Sequence, residues 1–479
     1  MNILLVRPKP PVNTVGLKYV MVCEPLELEY MGASVTADHD VIIIDMILEK
    51  RPLEYFIKQH KPDIVGFTGY ITHVNQIKSY AKQTKQINPE CRVVVGGVHA
   101  EVLSGDFDSG SIDYIITSNA HQNFPELVQA IASGAEPAKV PGVRSKGQSA
   151  SPEAKPSYPE YLPDRELTKR YRDKYYYMFH NPCALIKTSY GCPYSCNFCF
   201  CIQVTDETYF TRPLDSVIEE LQTIEEPEIY IVDDNFLVSR ERVLEFCDKL
   251  ETNNIHKHFL IYGRADFIAA NPDVIERFKA CGLRAVIVGI ESWDQSELDD
   301  YGKKSDILIS ENAIQILDDN KVDCYGTFIL APQWSAQDFD QMYQWIRSMG
   351  LIFVNLQPLT PLPGTPIYAQ YEDKLLIPRD RCEQWDFAHL VLKPEQLSPA
   401  AYYWNIMKLY YKITMHYSSI IKMFRRYGVL QTLKLSRGAS IVTLQYLVKI
   451  FSSFFDSKFR VTKDHSTSKE GMHQDEEKI

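Results

Sequence analysis

Short runs of Val, Ile and Leu alternate with longer helix-compatible segments over most of this chain. Strands that are buried on both faces read as continuous apolar runs, and such burial is typical of parallel sheets covered by helices. Five runs lie in the first third of the chain: Asn2–Val6, Val41–Ile44, Asp63–Phe67, Arg92–Val95 and Tyr114–Ile116. Six more follow after a break: Ala184–Thr188, Glu228–Asp233, Phe259–Gly263, Ala285–Gly289, Tyr325–Leu330 and Leu351–Leu356. The sequence therefore predicts the α/β class, with two successive parallel sheets.

A proline-rich break separates the two sets of strands. Residues 149–164 carry four prolines and few aliphatic residues, which is typical of a linker. The six strand–helix units after it predict a parallel barrel that is incomplete. The predicted organisation is a first domain over residues 1–136, a linker over 137–180, a barrel over 181–375, a helical C-terminal region over 376–462 and a disordered tail over 463–479.

Charge and cysteine content exclude several classes of protein. The 479 residues carry a formal net charge of -11, which argues against a nucleic-acid binder that works through overall positive charge. The 11 cysteines are an odd number in a long chain, so a disulfide framework is not indicated. The N-terminus shows no signal-peptide pattern, and no apolar stretch reaches the length of a membrane span. We expect a cytoplasmic protein whose reduced thiols can bind metal.

Two loops that contain glycine follow strands of the first predicted sheet. Thr68 and Gly69 follow the third run, and Gly96, Gly97 and Val98 follow the fourth. Parallel sheets bind ligands beyond the carboxyl ends of their strands, and glycine allows a large ligand to approach the backbone. The same glycines are equally consistent with ordinary turns, so the local pattern leaves both interpretations open.

The most specific signal is the segment GCPYSCNFC at residues 191–199, which follows the first barrel strand. It places Cys192, Cys196 and Cys199 at the spacing C-x3-C-x2-C. Three thiolates on one short loop can bind three irons of a [4Fe-4S] cluster and leave the fourth iron open to a small molecule. A zinc site usually takes four ligands in paired C-x2-C motifs, and no second pair lies nearby. The spacing favours the cluster over zinc and over an inert cysteine-rich loop.

This motif resembles that of the radical S-adenosyl-L-methionine (SAM) enzymes. In those enzymes an aromatic residue precedes the third cysteine, as Phe198 does here. The resemblance implies that the open iron binds the amino and carboxyl groups of SAM. An electron from the cluster would then cleave SAM to a 5′-deoxyadenosyl radical. Matches at the ends of the following predicted strands imply that Asp233, Asp234, Arg264 and Glu291 also contact SAM.

The first domain resembles the cobalamin-binding domain that is fused to one subclass of this family. The resemblance is carried by EPLELEYMGA at 24–33, by VVVGGVHA at 93–100 and by the TPLPGT signature at 360–365. It implies an N-terminal Rossmann-like cobalamin-binding domain, a central partial (β/α)6 TIM-like radical SAM barrel and a C-terminal helical region. It also assigns cobalamin to the two loops described above, with the candidate contacts Thr68, Gly69, Gly96, Gly97 and Val98.

Two departures from the family pattern concern the corrin. No D-x-H-x-x-G motif occurs, so no histidine is placed to bind cobalt from below, which implies base-off cobalamin. Residues 118–121, SNAH, stand where relatives carry an acidic loop, so the corrin contacts there differ. We interpret His99 and His73 as structural residues rather than cobalt ligands.

The combined resemblance implies a cobalamin-dependent radical SAM methyltransferase that acts on an unactivated carbon and takes electrons from an external donor of the flavodoxin or ferredoxin type. Residues 385–397 (WDFAHLVLKPEQL) resemble the C-terminal region of the hopanoid C-3 methylases, which implies an apolar, polycyclic or lipid-like substrate. The alternative is an oxidative or ring-forming enzyme similar to the anaerobic magnesium-protoporphyrin monomethyl ester cyclases. A non-catalytic cobalamin/Fe-S sensor is a further hypothesis, which the intact cysteine motif disfavours.

The C-terminal region is basic and aromatic. Residues 401–462 contain ten Lys or Arg and one acid, Asp456, which gives a local charge of +9. Residues 418–462 predict either an amphipathic contact with an anionic membrane surface or a helical cap that packs on the barrel. The remaining cysteines are interpreted as small buried hydrophobic residues, and strand-like alternation predicts that Cys201 points away from the cluster.

Overall fold

The computed structural model describes residues 1–11, 14–15, 20–145, 147–148 and 156–455. The predicted disordered tail at 463–479 lies outside the described residues. Two six-stranded sheets dominate the described part of the chain, and eleven of their twelve strands lie at runs that the sequence predicted. The prediction of an α/β protein with two parallel sheets is confirmed.

The first sheet has the spatial strand order β2-β1-β3-β4-β5-β6. Its strands are β1 (Asn2–Arg7), β2 (Asp40–Asp45), β3 (Ile64–Thr68), β4 (Arg92–Gly96), β5 (Tyr114–Ile116) and β6 (Val143–Ser145). All neighbours are parallel except β6, which pairs antiparallel with β5. The order reverses between β1 and β3, so a crevice opens there at the carboxyl ends of the strands.

Helices cover both faces of the first sheet. They are α1 (Leu26–Ala33), α2 (Leu53–His60), α3 (Val74–Ile87), α4 (Val98–Val102) and α5 (Ala120–Ser133). One hydrophobic cluster joins α2 and α3 to the sheet, and another joins α1 and α5 to the opposite face. This two-sided burial explains why the strands read as continuous apolar runs.

The second sheet contains six parallel strands in sequence order and forms an open, partial barrel. The strands are β7 (Cys183–Ile186), β8 (Glu228–Ile231), β9 (His258–Gly263), β10 (Leu283–Glu291), β11 (Asp323–Leu330) and β12 (Phe353–Pro358). The helices of this part are α6 (Cys201–Val204), α7 (Leu214–Thr223), α8 (Arg240–Thr252), α9 (Ala265–Ala270), α10 (Pro272–Ala280), α11 (Gln295–Asp300), α12 (Ile307–Asp319), α13 (Ala336–Ser348) and α14 (Pro366–Tyr371). This is the strand–helix alternation that the sequence predicts.

All six barrel strands differ from their predicted bounds at one end or both, and two of these differences have a clear local cause. Strand β7 ends at Ile186 because the backbone N–H of Thr188 donates to the carboxylate of Asp233 at 2.6 Å instead of to a neighbouring strand. Strand β12 begins at Phe353 because Leu351 still belongs to the end of α13. Its N–H donates to the carbonyl of Ile346 at 3.2 Å, beyond a left-handed Gly350, which is a common way to end a helix.

The lower part of the barrel is filled by apolar and aromatic side chains, and the first domain contributes to this filling. Leu26 and Tyr30 of α1 belong to the same buried cluster as Leu185, Leu260 and Ile287 on the barrel strands. Helix α1 therefore packs against the first sheet and also reaches into the barrel, so the two sheets share part of one core.

The segment predicted as a linker is largely folded. Strand β6 belongs to it, and residues Arg165–Lys174 form a 3-10 helix that lies between the two sheets. Strand β6 is only three residues long and carries a central arginine, so the apolar-run criterion could not detect it. The folded parts of the predicted linker therefore flank the proline-rich residues 149–164.

A buried network of ion pairs crosses this boundary. Arg172 pairs with Glu24 at the start of α1 at 2.7 Å, and with Glu226 before β8. Arg165 pairs with Glu220 of α7 at 2.7 Å. Glu24 also accepts a hydrogen bond from the backbone N–H of Leu185 in β7 at 2.5 Å. The 3-10 helix thus connects the first domain to the barrel through charges that are shielded from water.

The predicted helical region from 376 onward becomes helical only at α15 (Pro399–Thr414), which is followed by α16 (Tyr417–Phe455) with a break at Gly428. Residues 375–391 are instead an extended strap that returns to the first domain. Within the strap, Trp385 is fully buried in the hydrophobic cluster of the first sheet, and Arg379 pairs with Asp106 at 2.9 Å. The prediction that the region is helical from residue 376 is therefore wrong for 376–398, because these residues pack as a loop against an existing domain.

None of the helices in the described residues is long and apolar enough to cross a membrane.

Replacing Arg172 with Met should destabilise the protein by about 3 kcal/mol, because it leaves Glu226 buried without its cation and leaves Glu24 with only Arg165, whose nitrogen lies 3.8 Å away. The measurement is the midpoint of urea unfolding followed by circular dichroism. Arg240→Met is the matched control, since Arg240 pairs with Asp273 at the surface, where an ion pair contributes at most about 1 kcal/mol. Equal midpoint shifts in the two variants would contradict a special role for the buried network.

Candidate functional site

The loop that carries the three cysteines lies between β7 and α6 and is fixed from two sides. The backbone N–H of Asn197 donates to the carbonyl of Tyr301 at 3.2 Å, and its side-chain amide donates to the carbonyl of Asp300 at 2.5 Å. The carbonyl of Asn197 accepts from the N–H of Ile367 at 3.1 Å. The ends of α11 and the start of α14 therefore hold the loop at the carboxyl end of the barrel.

The three cysteines of this loop are partly or fully shielded. Cys196 is buried, whereas Cys192 and Cys199 are half-buried. Burial raises the pKa of the Cys192 thiol to about 11 and also raises that of Cys196. Both thiols are therefore protonated at neutral pH without a metal, and metal binding must displace their protons.

The donor set fits an iron–sulfur cluster. Within the described residues, no three His, Cys, Asp or Glu side chains converge on one metal-ion position. A cube-shaped cluster does not require such convergence, because each of three thiolates binds a different iron. Cys192, Cys196 and Cys199 on one anchored loop are thus able to hold the cluster at three corners.

Arg264 positions this loop. Its guanidinium stacks on the ring of Tyr194 at 3.9 Å, pairs with Asp266 at 2.9 Å and donates to the carbonyl of Lys303 at 3.0 Å. One of its nitrogens also lies 3.8 Å from the sulfur of Cys196. Since these contacts occupy the guanidinium, the structure places Arg264 beside the cluster loop and gives it a supporting position.

The two neighbouring carboxylates after β8 have different surroundings. Asp233 is buried, and its oxygens accept hydrogen bonds from Thr188 and from the hydroxyl of Ser189 at 2.7 Å. Burial raises the pKa of Asp233. Asp234 is exposed and accepts from the N–H of Gly191 at 3.0 Å. Asp233 thus holds the end of β7, and of the two predicted SAM contacts only Asp234 is accessible to a ligand.

Glu291 and Phe198 both contact the segment 301–303 beside the cysteine loop. Glu291 ends β10 in a left-handed conformation, with φ of 67°, and pairs with Lys303 at 2.9 Å. The ring of Phe198 packs edge-on against Tyr301 with centroids 5.9 Å apart. The structure therefore groups the predicted SAM-contacting residues around the cysteine loop, and their contacts with SAM stay a prediction.

The predicted cobalamin loops meet at the carboxyl edge of the first sheet. Gly96 is the register partner of Thr68 on the neighbouring strand. Gly97 has φ of 92°, and a Cβ atom there would lie 2.5 Å from the hydroxyl oxygen of Thr68. Gly69 follows Thr68, and Val98 begins α4. The five residues form a shallow backbone-lined edge that fits a large flat ligand, and that fit depends on the absence of a side chain at Gly97.

The two histidines near this edge both contact neighbouring residues of the first domain. His99 Nε2 lies 2.9 Å from a carboxylate oxygen of Asp106, and its ring packs against Phe107. His73 Nδ1 lies 3.3 Å from the backbone N–H of Tyr70, and burial lowers the pKa of His73 to about 4. These contacts support the interpretation of both histidines as structural residues.

The SNAH loop that replaces the expected acidic loop is tied to the segment after the proline-rich break. Asn119 adopts a left-handed conformation, and its side chain accepts from the N–H of Ser157 at 2.9 Å. The ring of His121 lies 3.1 Å from the hydroxyl of Ser157. This loop therefore closes the first domain against residues 156–164.

The edge of the first sheet and the cysteine loop face each other. The side-chain amide of Gln203 in α6 donates to the carbonyl of Gly364. A Cβ atom on Gly364 would lie 3.1 Å from the side chain of Val102 in α4. The TPLPGT loop is therefore wedged between the helix that follows the cysteines and the helix that follows Gly97, so both candidate sites open toward one shared space.

Comparison with known protein families decides what the two halves are. Residues 12–128 match the B12 binding domain, and residues 186–346 match the radical SAM superfamily.

The chain combines a B12-binding domain with a radical SAM domain.

Curated relatives extend the match over most of this B12-binding radical SAM enzyme. The hopanoid C-3 methylase of Methylococcus capsulatus is 29% identical over 417 residues, which cover 85% of this chain and 79% of that protein. The anaerobic magnesium-protoporphyrin IX monomethyl ester cyclase of Rubrivivax gelatinosus is 24% identical, and the match covers 79% of this chain and 71% of that protein. The predicted family, fold class and cofactor set (a [4Fe-4S] cluster, SAM and cobalamin) are confirmed.

A solved structure shows the same fold. It is that of OxsB, a cobalamin-dependent SAM radical enzyme with aqua-cobalamin and SAM bound, which superposes with a TM-score of 0.66. The two share 15% sequence identity, and the match covers 94% of this chain and 72% of that chain. The arrangement of the two sheets is therefore shared with a structurally defined relative.

Sequence reasoning missed three residues of the B12-binding radical SAM enzyme that lie at the shared space. Lys187 follows β7 and lies 3.4 Å from Asp234. The side chain of Tyr262 is 37% exposed although it lies on the central strand β9, because strand alternation directs it into the barrel with Leu260. Both Lys187 and Tyr262 could have been predicted by following the alternation of side-chain direction along each strand beyond its apolar run.

Cys201 is the third missed residue, and the prediction that it points away from the cluster loop is wrong. Its thiol hydrogen-bonds to Cys199, which lowers the pKa of Cys199, and lies 3.4 Å from Asp234. The error has a simple cause: Cys201 begins helix α6, so strand-like alternation does not apply to it.

Replacing Cys196 with Ala should remove the iron, because a cluster bound by two thiolates is not held at three corners. Iron and sulfide contents after anaerobic reconstitution should fall by about tenfold relative to the wild type. Cys281→Ala is the control, since Cys281 lies outside the loop and should leave the iron content unchanged. A Cys196→Ala variant that retains full iron would contradict the ligand assignment.

Replacing Gly97 with Ala should weaken cobalamin binding by at least about tenfold, because the new methyl group strains the left-handed backbone and meets Thr68. The measurement is a titration of the protein with hydroxocobalamin followed by absorbance. Gly105→Ala is the matched control, since a Cβ atom there meets nothing within 4 Å. Equal affinities of the two variants would show that the edge at Gly97 does not hold the corrin.

Proposed function

We propose that this enzyme is a cobalamin-dependent radical SAM methyltransferase that methylates an unactivated carbon of an apolar, polycyclic substrate. The observation that carries the proposal is the meeting of the cysteine loop and the Gly97 edge at one space, through α4, α6 and the TPLPGT loop. When bound, the cluster supplies the reductive cleavage of SAM, and the corrin supplies a transferable methyl group.

The walls of this space suit a large apolar molecule. Its floor is the aromatic and aliphatic cluster in the lower barrel, which includes Tyr230, Tyr325 and Leu260. The ring of Tyr262 lies above the floor, with its centroid 5.8 Å from that of Tyr230. Tyr70 of the first domain is 59% exposed in the loop that follows Thr68. Flat aromatic side chains of this kind bury a rigid hydrocarbon without requiring polar partners.

Polar groups are concentrated nearer the carboxyl ends of the barrel strands. Alternation along β11 and β12 directs Thr327, Asn355 and Gln357 to the same face as the floor residues, and all three are half-buried. Lys187 and Asp234 lie at the same level. These groups can orient SAM and a polar substituent of the substrate, while the apolar floor excludes water from the reacting carbon.

Two further lines support methyl transfer to an apolar substrate. The methylase from Methylococcus capsulatus is named for its action on a hopanoid and matches 85% of this chain. The first part of the WDFAHLVLKPEQL segment, which resembles hopanoid methylases, lies in the strap, where Trp385 and Val391 pack in the hydrophobic cluster that contains α2 and α3. The proposed external electron donor is a flavodoxin or ferredoxin, since radical SAM enzymes need a one-electron reductant.

The magnesium-protoporphyrin cyclase relatives support the second candidate, an oxidative or ring-forming reaction. The same two-sheet arrangement and aromatic floor would accommodate a flat macrocycle. The two candidates differ in their SAM-derived products, because only methyl transfer consumes a second SAM as a methyl donor.

Anaerobically reconstituted enzyme, supplied with reductant and lipid extract, should release both 5′-deoxyadenosine and S-adenosylhomocysteine, with a substrate heavier by one methylene. Liquid chromatography with mass spectrometry measures all three. The Cys196→Ala variant is the negative control, in which 5′-deoxyadenosine should disappear. Formation of 5′-deoxyadenosine without S-adenosylhomocysteine on the true substrate would replace methyl transfer with the oxidative alternative.

A further inference from the structure

The second part of α16, after the break at Gly428, carries apolar residues on two faces. One face packs against the barrel, and the other points away from it. Its inner face is covered: Tyr446 and Ile450 are buried in the barrel cluster. Its outer face carries Leu433, Leu444, Val448 and Phe451, each more than half exposed. We call these four residues the outer stripe.

The outer stripe is a continuous helical face. The spacing of Leu444, Val448 and Phe451 is i, i+4, i+7, and Leu433 lies three turns earlier on the same side. At 1.5 Å per residue the stripe is about 27 Å long. Among the described side chains between Leu433 and Phe451, the exposed residues other than Leu444 and Val448 are Arg437, Ser440 and Thr443. A helix face on which exposed apolar residues recur is typical of a surface that meets a partner.

The neighbouring helix extends this surface. Helix α15 packs on α16 through Tyr403 and Tyr446, whose ring centroids are 6.1 Å apart. Its outward side carries Trp404, Tyr411 and Met415, which are also more than half exposed. Within the described residues, ten of the sixteen exposed large hydrophobic side chains lie on these two helices, and an eleventh, Met415, lies between them. The concentration at one end of the chain distinguishes this surface from singly scattered apolar residues.

The charge of the C-terminal region indicates which kind of partner this surface would bind. Residues 401–462 carry +9 in a chain whose total is -11. Part of this charge is neutralised by the barrel, since Lys412, Lys422 and Arg426 pair with its acids. Arg425 and Arg437 are exposed and form no ion pair within the described residues. The surface therefore combines outward apolar groups with uncompensated positive charge.

We propose that the outer stripe and the exposed face of α15 lie on an anionic lipid bilayer, parallel to its surface. Apolar side chains would enter the boundary between headgroups and acyl chains, while Arg425 and Arg437 meet the headgroups. Trp404 and Tyr411 are of the residue types that are enriched at membrane interfaces. A second copy of the chain is disfavoured as the occupant, because a symmetric contact would bring two +9 regions together.

This inference does not rest on the proposed reaction, since it uses only the outward faces of the C-terminal helices. It has a consequence for any apolar substrate: such a molecule would reach the enzyme from the bilayer instead of from water. The two proposals can therefore fail independently.

Co-sedimentation of the full chain with vesicles tests the proposal. The wild type should pellet with vesicles of equimolar phosphatidylcholine and phosphatidylglycerol, and much less with phosphatidylcholine alone. The double variant Val448→Glu/Phe451→Glu should partition at least about tenfold more weakly into the anionic vesicles, because it replaces two inserting side chains with charges. Leu308→Glu is the control and should bind as the wild type, since Leu308 is 71% exposed on α12 and lies outside the surface.

Circular dichroism and light scattering complete the design. Because both positions are exposed, the double variant should keep the wild-type helix content and unfolding temperature; a milder variant, Val448→Ser, serves if it does not. Failure of the wild type to bind anionic vesicles, equal binding to neutral vesicles, or unchanged binding by the stripe variants would overturn the proposal. So would a wild-type dimer that the variant converts to a monomer, because the outer stripe would then be a contact between copies of the chain.

Discussion

The buried ion pairs of Arg165 and Arg172 determine how the two sheets of this protein are placed. Each arginine belongs to the segment between the sheets, and each pairs with glutamates of the parts that it joins. Removing charges from water costs several kcal/mol per ion, so such pairs persist only where geometry satisfies both partners. Any relative rotation of the sheets would separate these charges inside the protein. The network therefore defines one arrangement of the two halves more strictly than apolar contact alone would.

That arrangement brings two chemically different edges into contact. A parallel sheet presents ligand-binding loops beyond the carboxyl ends of its strands, and this chain has two such sheets. Their carboxyl ends point toward the same space, where α4, α6 and the TPLPGT loop pack together. A transferable group on the corrin and a radical generated from SAM must both reach one carbon atom. The fold meets this requirement by facing the two edges toward each other and by closing the lower barrel with aromatic residues and α1.

Much of this organisation could be predicted from the sequence because it depends on local patterns. The apolar runs identified eleven of the twelve strands of the two main sheets, and the cysteine spacing identified the cluster loop. The missing strand, Val143–Ser145, is stabilised by its neighbour β5 and has no apolar pattern of its own. Contacts between segments that are distant in sequence could not be predicted either, because they too leave no local apolar pattern. Neither the roles of Arg165 and Arg172 nor the return of Trp385 to the first domain leaves a periodic signal.

The candidate site shows the same division. Motif positions indicated which residues surround the cysteine loop, but the surroundings decide what each can do. Asp233 and Asp234 are adjacent in sequence, yet one is enclosed by Thr188 and Ser189 and the other is open to a ligand. Cys201 was misplaced because a strand rule was applied to the first turn of a helix. Alternation was a sound guide within strands, and Tyr262 would have been found by it.

The strap at residues 375–391 gives the two halves of the molecule a second contact, which is non-covalent. The chain leaves the first domain through the arginine-bearing helix, completes the barrel, and then crosses back to bury Trp385 behind the first sheet. Two domains that are joined by one linker alone can rotate apart, whereas a second contact at a separate point resists that rotation. Separating the two halves would therefore expose Trp385 to water and break the ion pair between Arg379 and Asp106.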